Sequence, residues 1–264
     1  MDIKMDYNYH THTPYCRHAS NTAEDYVLRA THMGVTHMGF SDHAPFRQED
    51  GFGLYWRVQT EELESYISEL RDLREKYRDK IDLKIGFEME YYRDSFEKML
   101  GTAAECGGEY LILGQHFVSE DAERSPVNVH TVQPSDSEEK LRAYADTVSE
   151  GIRTGKFTYV AHPDIMNFTG DIELYREEMR KICVASKECG VPLEINFLGI
   201  RDMRNYPRED FWQLAGEIGS PVTFGFDAHR AVDAFDGGSL EKALALVGKY
   251  GLNYIGRPKV VSIK

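Results

Sequence analysis

Residues 4–12 read KMDYNYHTH, a short β-like run over 4–9 followed at once by a His-x-His pair. Alternate side chains of an extended chain share a face, so His10 and His12 can address one ion together. The rest of the chain repeats this theme. Further β-like runs at 37–41, 83–88, 110–114, 158–161, 192–196 and 222–226 alternate with amphipathic runs at 22–33, 60–77, 95–106, 137–154, 172–189, 208–218 and 239–250. That alternation predicts an α/β fold, a parallel sheet or barrel with helices outside, in about seven units. A last apolar piece, 253–255, is expected to add an eighth strand or to close the core. Several helical runs open on a Ser or Thr N-cap, and two end before glycine, at Met33-Gly34 and Cys189-Gly190. The polar stretches 44–59 and 117–136, marked by Gly and Pro, are expected as loops over a site.

In a parallel barrel the site lies at the C-terminal ends of the strands, so the residues just after each run are the informative ones. They form a set: His10, His12 and His18, then Asp42-His43, Glu88, His116, His162, Glu194-Ile195-Asn196, and Asp227-Ala228-His229. Imidazoles with carboxylates suit zinc, manganese or iron. These histidines and two acids exceed the needs of one tetrahedral ion, which points to two or three divalent ions sharing a bridging carboxylate. His32, His37 and His130 fall within a helix, at the start of a strand and in a loop, and are expected to bind nothing. Glu90 is the alternative to Glu88 as ligand, and Asp42 is expected to orient a histidine.

At 264 residues the chain can bury one sizeable core, and it is expected to form a single domain over 1–264. Its 41% hydrophobic and 28% charged residues fit a soluble globular protein. With no long apolar run and no apolar leader at MDIKMDYNYH, a cytoplasmic location away from membranes is expected. Cys16, Cys106, Cys183 and Cys189 form no C-x-x-C pair and are expected as reduced thiols. A net charge of −13 disfavours nonspecific binding to nucleic acid. An anionic substrate therefore needs local cations, from metal or arginine.

At these positions the sequence resembles the PHP (polymerase and histidinol phosphatase) superfamily, with its H-x-H near the N-terminus, D-H after the second strand and D-x-H near the end. The resemblance covers nearly the whole chain and implies a distorted (β/α)7 TIM-like barrel. It implies one metal site of His10, His12, Glu88 and Asp227, with Glu88 bridging to a second completed by His116 and His162. A third site would use His18, His43 and His229. Within the superfamily the likeness is to histidinol-phosphate phosphatases, through Ser41-Asp42-His43-Ala44-Pro45, Trp56-Arg57, IGFEMEYY from Ile85 and LEINFLGIR from Leu193. Where that group commonly shows G-S-V-H-F, this chain has Leu113-Gly114-Gln115-His116-Phe117, and its fifth run ends Ala161-His162-Pro163-Asp164.

The expected reaction is hydrolysis of a small phosphate monoester, histidinol phosphate, by a metal-bound hydroxide, with Glu88, Asp227 and Asp42 at the chemistry. Arg201 is the first candidate to clamp the phosphate; Arg17, Arg57, Arg204 and Arg230 are others. Trp56, with Glu49, Asp50 and Tyr55, is expected to receive the imidazole and ammonium. Asp42 and Asp164 are candidates for the general acid. The rivals are a phosphotyrosine phosphatase, a nucleic-acid phosphodiesterase and an inactive metal-binding scaffold. Elemental analysis of the isolated protein is expected to give about two to three transition-metal ions per chain, and chelation to abolish turnover; a metal-replete preparation with one ion or none would defeat the cluster.

Overall fold

The run KIGFEM puts Ile85, Phe87 and Met89 on one face and Gly86 and Glu88 on the other, and all five are buried, as in a strand covered on both sides. In the computed structural model, which describes residues 5–124 and 131–264, this run lies in strand β3 (Asp82–Met89). It stands in a parallel sheet ordered β1 (Tyr7–Asn8), β2 (His37–Phe40), β3, β4 (Tyr110–Leu113). A second parallel sheet runs β5 (Leu193–Asn196), β6 (Pro221–Gly225), β7 (Asn253–Tyr254).

Backbone contacts join the two sheets on both flanks. Val160 bridges to Leu113 on one side and to Leu193 on the other, and Thr11 bridges to Ala228. His12 N donates to Ala228 O at 2.9 Å, and Tyr7 and Thr223 share a hydroxyl bond of 2.8 Å. The parallel strands are therefore curled, and β1 returns toward β6. The Tyr254 hydroxyl of β7 reaches the Tyr7 hydroxyl at 3.3 Å.

The helices are α1 (Ala23–His32), α2 (Leu63–Tyr77), α3 (Phe96–Cys106), α4 (Glu138–Arg153), α5 (Ile172–Cys189), α6 (Phe197–Arg201), α7 (Glu209–Ile218) and α8 (Gly237–Tyr250). Thr22 and Asp25 form a capping box on α1, while Ser137 and Asp171 cap α4 and α5. Among the described residues no helix is long and apolar enough to cross a membrane.

Four readings of the sequence need correction. The run 158–161 is no ladder strand; its backbone bonds to Leu111 and Leu113 on one side and to Pro192 and Glu194 on the other, but each side closes only one bridge. The predicted helix 60–77 opens as a separate turn of 3₁₀ helix, Thr60–Glu62. The short α6 was not anticipated, because its apolar sequence continues the strand; Asn196 Oδ1 accepts from Gly199 N at 3.1 Å and turns the chain. The first run is a strand only at Tyr7–Asn8, and its residue Lys4 lies outside the described residues, as does His130.

Two glycines make room for buried carboxylates. A Cβ at Gly114 would stand 2.0 Å from Glu88 Oε1, and one at Gly225 would stand 1.6 Å from Glu194 Oε1. Because Glu88 is walled in, Gly114→Ala is expected to cost about 1–3 kcal/mol of stability, read as a lower melting temperature of the chelated protein. A parental melting curve would show that Glu88 can yield.

Candidate metal centre

Asn8 shapes the first corner of the site. Its Oδ1 accepts from His10 N at 3.0 Å and its Nδ2 donates to Thr11 Oγ1 at 2.7 Å, so the chain past β1 carries His10 and His12 inward. Both are fully buried. Glu88 leaves β3 opposite them, and Asp227 follows β6. His10 Nε2 stands 3.6 Å from Glu88 Oε2 and 3.5 Å from Asp227 Oδ1; His12 Nε2 stands 3.5 and 3.4 Å from the same two oxygens. Such separations are long for hydrogen bonds. They match the distance of about 3.4 Å between neighbouring ligands of a tetrahedral zinc-like ion at 2.0–2.1 Å.

Glu88 divides its oxygens between two groups. Oε2 faces His10, His12 and His43, whose Nδ1 lies at 3.0 Å. Oε1 faces His162 Nε2 at 2.9 Å and His116 Nε2 at 3.3 Å. His18, His43 and His229 form a further set with nitrogens within 4.8 Å of one another. All nine residues expected as ligands thus converge around Glu88 and Asp227, and His18 is the exposed member.

Several outer nitrogens are held from behind, which orients the inner ones. Glu194 Oε1 takes His10 Nδ1 at 2.9 Å, Glu90 Oε1 takes His116 Nδ1 at 2.7 Å, and Cys16 O takes His18 Nδ1 at 2.7 Å. The inward nitrogens His10 Nε2, His12 Nε2 and His229 Nε2 are buried without a hydrogen-bond partner. Left so, they carry the cost of unmade hydrogen bonds. A divalent cation would satisfy them, so the donor set fits metal.

Charge tells the same story. Burial works against ionisation of Glu88, but His116, His10 and His43 outweigh it and hold the carboxyl well below its usual range. For Asp227, burial is likewise overcome by His10, His12 and His229. Burial disfavours a charged His12, yet the neighbouring Asp227, Cys16 and Glu88 push it up to about 10. The same competition, with Glu88 and Glu90 winning, lifts His116 to about 9. Two buried carboxylates thus demand positive charge, and protons on the imidazoles or metal ions between them can supply it. Burial keeps His43 and His229 well below the usual value, in the neutral form that ligates metal. His162 and Asp227 also sit at φ 30° and 46°, conformations that cost free energy in non-glycine residues and recur at functional sites.

Above this floor opens a cavity of about 520 Å³. Trp56 lines it and meets His43 edge-on, with ring centroids 4.5 Å apart. Ile165, Leu198, Tyr206, Asp202, Arg204, Arg230 and Asp233 form the remaining wall.

Several expected roles are not supported by position. Arg201 does not line the cavity: its guanidinium is turned to Asp236 at 3.3 Å, Asp233 at 3.6 Å and the backbone oxygen of Asp227 at 3.1 Å. Arg57 is wholly buried against Glu90 and Glu123, and Arg17 pairs with Glu62 on the surface. Neither reaches the cavity wall. Asp42 accepts from Thr13 N at 2.9 Å, bracing the turn after His12 instead of meeting substrate. Asp164 binds Arg208 N and Trp212 Nε1 at the start of α7, away from the cavity. Of the acids and aromatics offered by the loop after β2, Trp56 alone among them lines the cavity; Glu49, Asp50 and Tyr55 are exposed.

Sequence reasoning counted Glu194 among the polar residues at the strand ends but gave it no specific role, although a glutamate inside an apolar strand, two residues from Asn196 on the same face, was a usable signal. Its Oε2 accepts from His162 N at 3.0 Å and from Asn196 Nδ2 at 2.9 Å. Asp202 and Tyr206 had no such signal, because they come from a loop, and neither had Asp233, which sits in a short 3₁₀ helix, Ala231–Ala234.

Residues 8–197 match the model of the PHP domain. The chain is 27% identical to a probable histidinol-phosphatase of Deinococcus radiodurans, with 84% of this chain and 85% of that protein covered. It is 28% identical to the histidinol-phosphatase of Bacillus subtilis, with 85% and 93% covered. Among solved structures, the histidinol phosphate phosphatase of Lactococcus lactis, complexed with zinc, L-histidinol and phosphate, superposes with a TM-score of 0.71 at 21% identity, covering 98% of this chain and 97% of that one.

If Glu88 serves both groups, Glu88→Gln should strip the protein of most of its metal and its turnover. Glu90→Gln, one layer back, should weaken metal retention about 10–100-fold. Measuring metal content by elemental analysis after dialysis checks the order; the reverse ranking would reassign the bridging acid.

Proposed function

Because this chain belongs to the PHP family, we propose that it is a metal-dependent phosphomonoesterase that hydrolyses L-histidinol phosphate to L-histidinol and phosphate, in the cytoplasm and as a step of histidine biosynthesis. The curled strands, joined through Val160 and through Thr11 and Ala228, are read as a distorted (β/α)7 barrel spanning the whole chain. The observation that carries the reading is the set of buried, partnerless imidazole nitrogens around Glu88 and Asp227 on the floor of the cavity.

On this reading His10, His12, Glu88 and Asp227 hold one divalent ion, Glu88 with His116 and His162 a second, and His18, His43 and His229 a third. When bound, zinc, manganese or iron would acidify water and neutralise charge on phosphoryl oxygens. The remaining work falls to the chain. Arg204, beside Tyr206 at 3.2 Å and Asp202 at 3.3 Å, takes over from Arg201 as the arginine that orients the phosphate. Arg201 instead grips the Asp227 carbonyl and fixes the corner after β6. Trp56 and Tyr206 offer aromatic faces to an imidazole, and Asp202 and Asp233 offer charge to an ammonium. Such a wall suits a small ester with a cationic tail.

A panel of phosphate monoesters and diesters tests this directly. Histidinol phosphate should exceed aryl and simple alkyl phosphates by about 100-fold or more in kcat/KM, and Trp56→Ala or Arg204→Ala should erode that preference. Faster turnover of phosphotyrosine peptides or phosphodiesters would leave the family standing and sink this substrate.

A further inference from the structure

Arg57 is an arginine with about 1% exposure, placed behind the site where no substrate reaches it. Its Nη1 lies 2.8 Å from Glu90 Oε2 and donates to Ala44 O at 3.2 Å. Its Nη2 donates to Glu123 Oε1 at 2.5 Å, and the Tyr92 hydroxyl donates to the same oxygen at 2.7 Å. The guanidinium also stands 5.0 Å from the centre of the Trp56 ring. Glu90 in turn accepts His116 Nδ1 at 2.7 Å. One buried cation therefore touches the carboxylate behind His116, the loop after β2 through Ala44 and Trp56, and the loop after β4 through Glu123.

We propose that Arg57 is a positioning residue that couples the order of the loop after β2 and of the turn Asp121–Arg124 to the placement of His116, acting through Glu90. The inference rests on the reading of His116 as a metal ligand. Its physical basis is the planar fork of the guanidinium, which can hold two carboxylates in fixed relative positions as an ammonium cannot. Two acids share this cation in a dry environment, where losing one contact leaves a charge poorly matched and shifts the other. A slack Glu123 thus lets Arg57 move, Glu90 follows, and the ring of His116 loses the bond that aims Nε2 at Glu88. The loops are tied to one another as well, since Gln48 Nε2 donates to Glu120 O at 2.9 Å.

Coupling of this kind must act in both directions. Glu123→Gln, which keeps the side chain's shape and touches no proposed ligand, is expected to speed release of metal from the full-length, metal-loaded protein to a chelator about tenfold. Conversely, Glu90→Gln should raise backbone hydrogen exchange in the turn Asp121–Arg124 at least severalfold in the chelated protein. Arg57→Lys should do both, and a melting curve on each variant confirms folding. Parental behaviour in either arm, from folded variants, overturns the coupling. A parental protein that takes up no transition metal would instead overturn the proposed function, and the exchange arm would still decide whether the link to the loop exists.

Discussion

A carboxylate buried to about 1% exposure, Glu88, is the constraint from which the rest of this structure follows. A lone ionised carboxylate in such a place is prohibitively costly, so it persists only where positive charge surrounds it. Here five imidazoles approach its two oxygens, from the ends of four strand-like segments. Each must be delivered by its own segment, and parallel strands that all end on one side deliver them. The curling of the strands and the charge balance of the site are thus one requirement.

The second layer carries as much of the design as the first. Glu194 braces His10 and the backbone of His162, Glu90 braces His116, and Arg201 braces the chain at Asp227. These contacts fix which imidazole nitrogen faces inward and so convert a flexible ring into a directed donor. The left-handed backbone at His162 and Asp227 belongs to the same economy, because surrounding bonds hold two corners that a free chain would avoid.

Arginines illustrate how little a side chain's position in the sequence says about its target. Arg17, Arg57, Arg201, Arg204 and Arg230 all follow strand ends or their loops, and all were plausible phosphate ligands. In the fold, Arg57 and Arg201 turn to internal acids and Arg17 to a surface glutamate, while Arg204 and Arg230 border the cavity. The difference lies in which carboxylates each guanidinium meets, and those come from remote parts of the chain: Glu123 for Arg57, Asp233 and Asp236 for Arg201.

The sequence by itself determined the strand and helix alternation and the residues that gather at the floor of the site. Period, caps and the placement of histidines after β-like runs are local properties, and in a parallel sheet position after a strand translates directly into position in the site. Only the tertiary structure decided what those local signals do not encode. The run 158–161 became a pair of single bridges because its neighbours, not its own residues, set how many bonds it could close. Asn196 ended β5 and began α6 with one side-chain bond that no apolar periodicity announces. Glu194, Tyr206 and Asp233 gained their places, and Arg57 and Asp164 lost theirs, through contacts made across long stretches of chain. The physical reason is common to all of them: a polar side chain is committed by the partner that pays its cost of burial, and that partner is chosen by the fold.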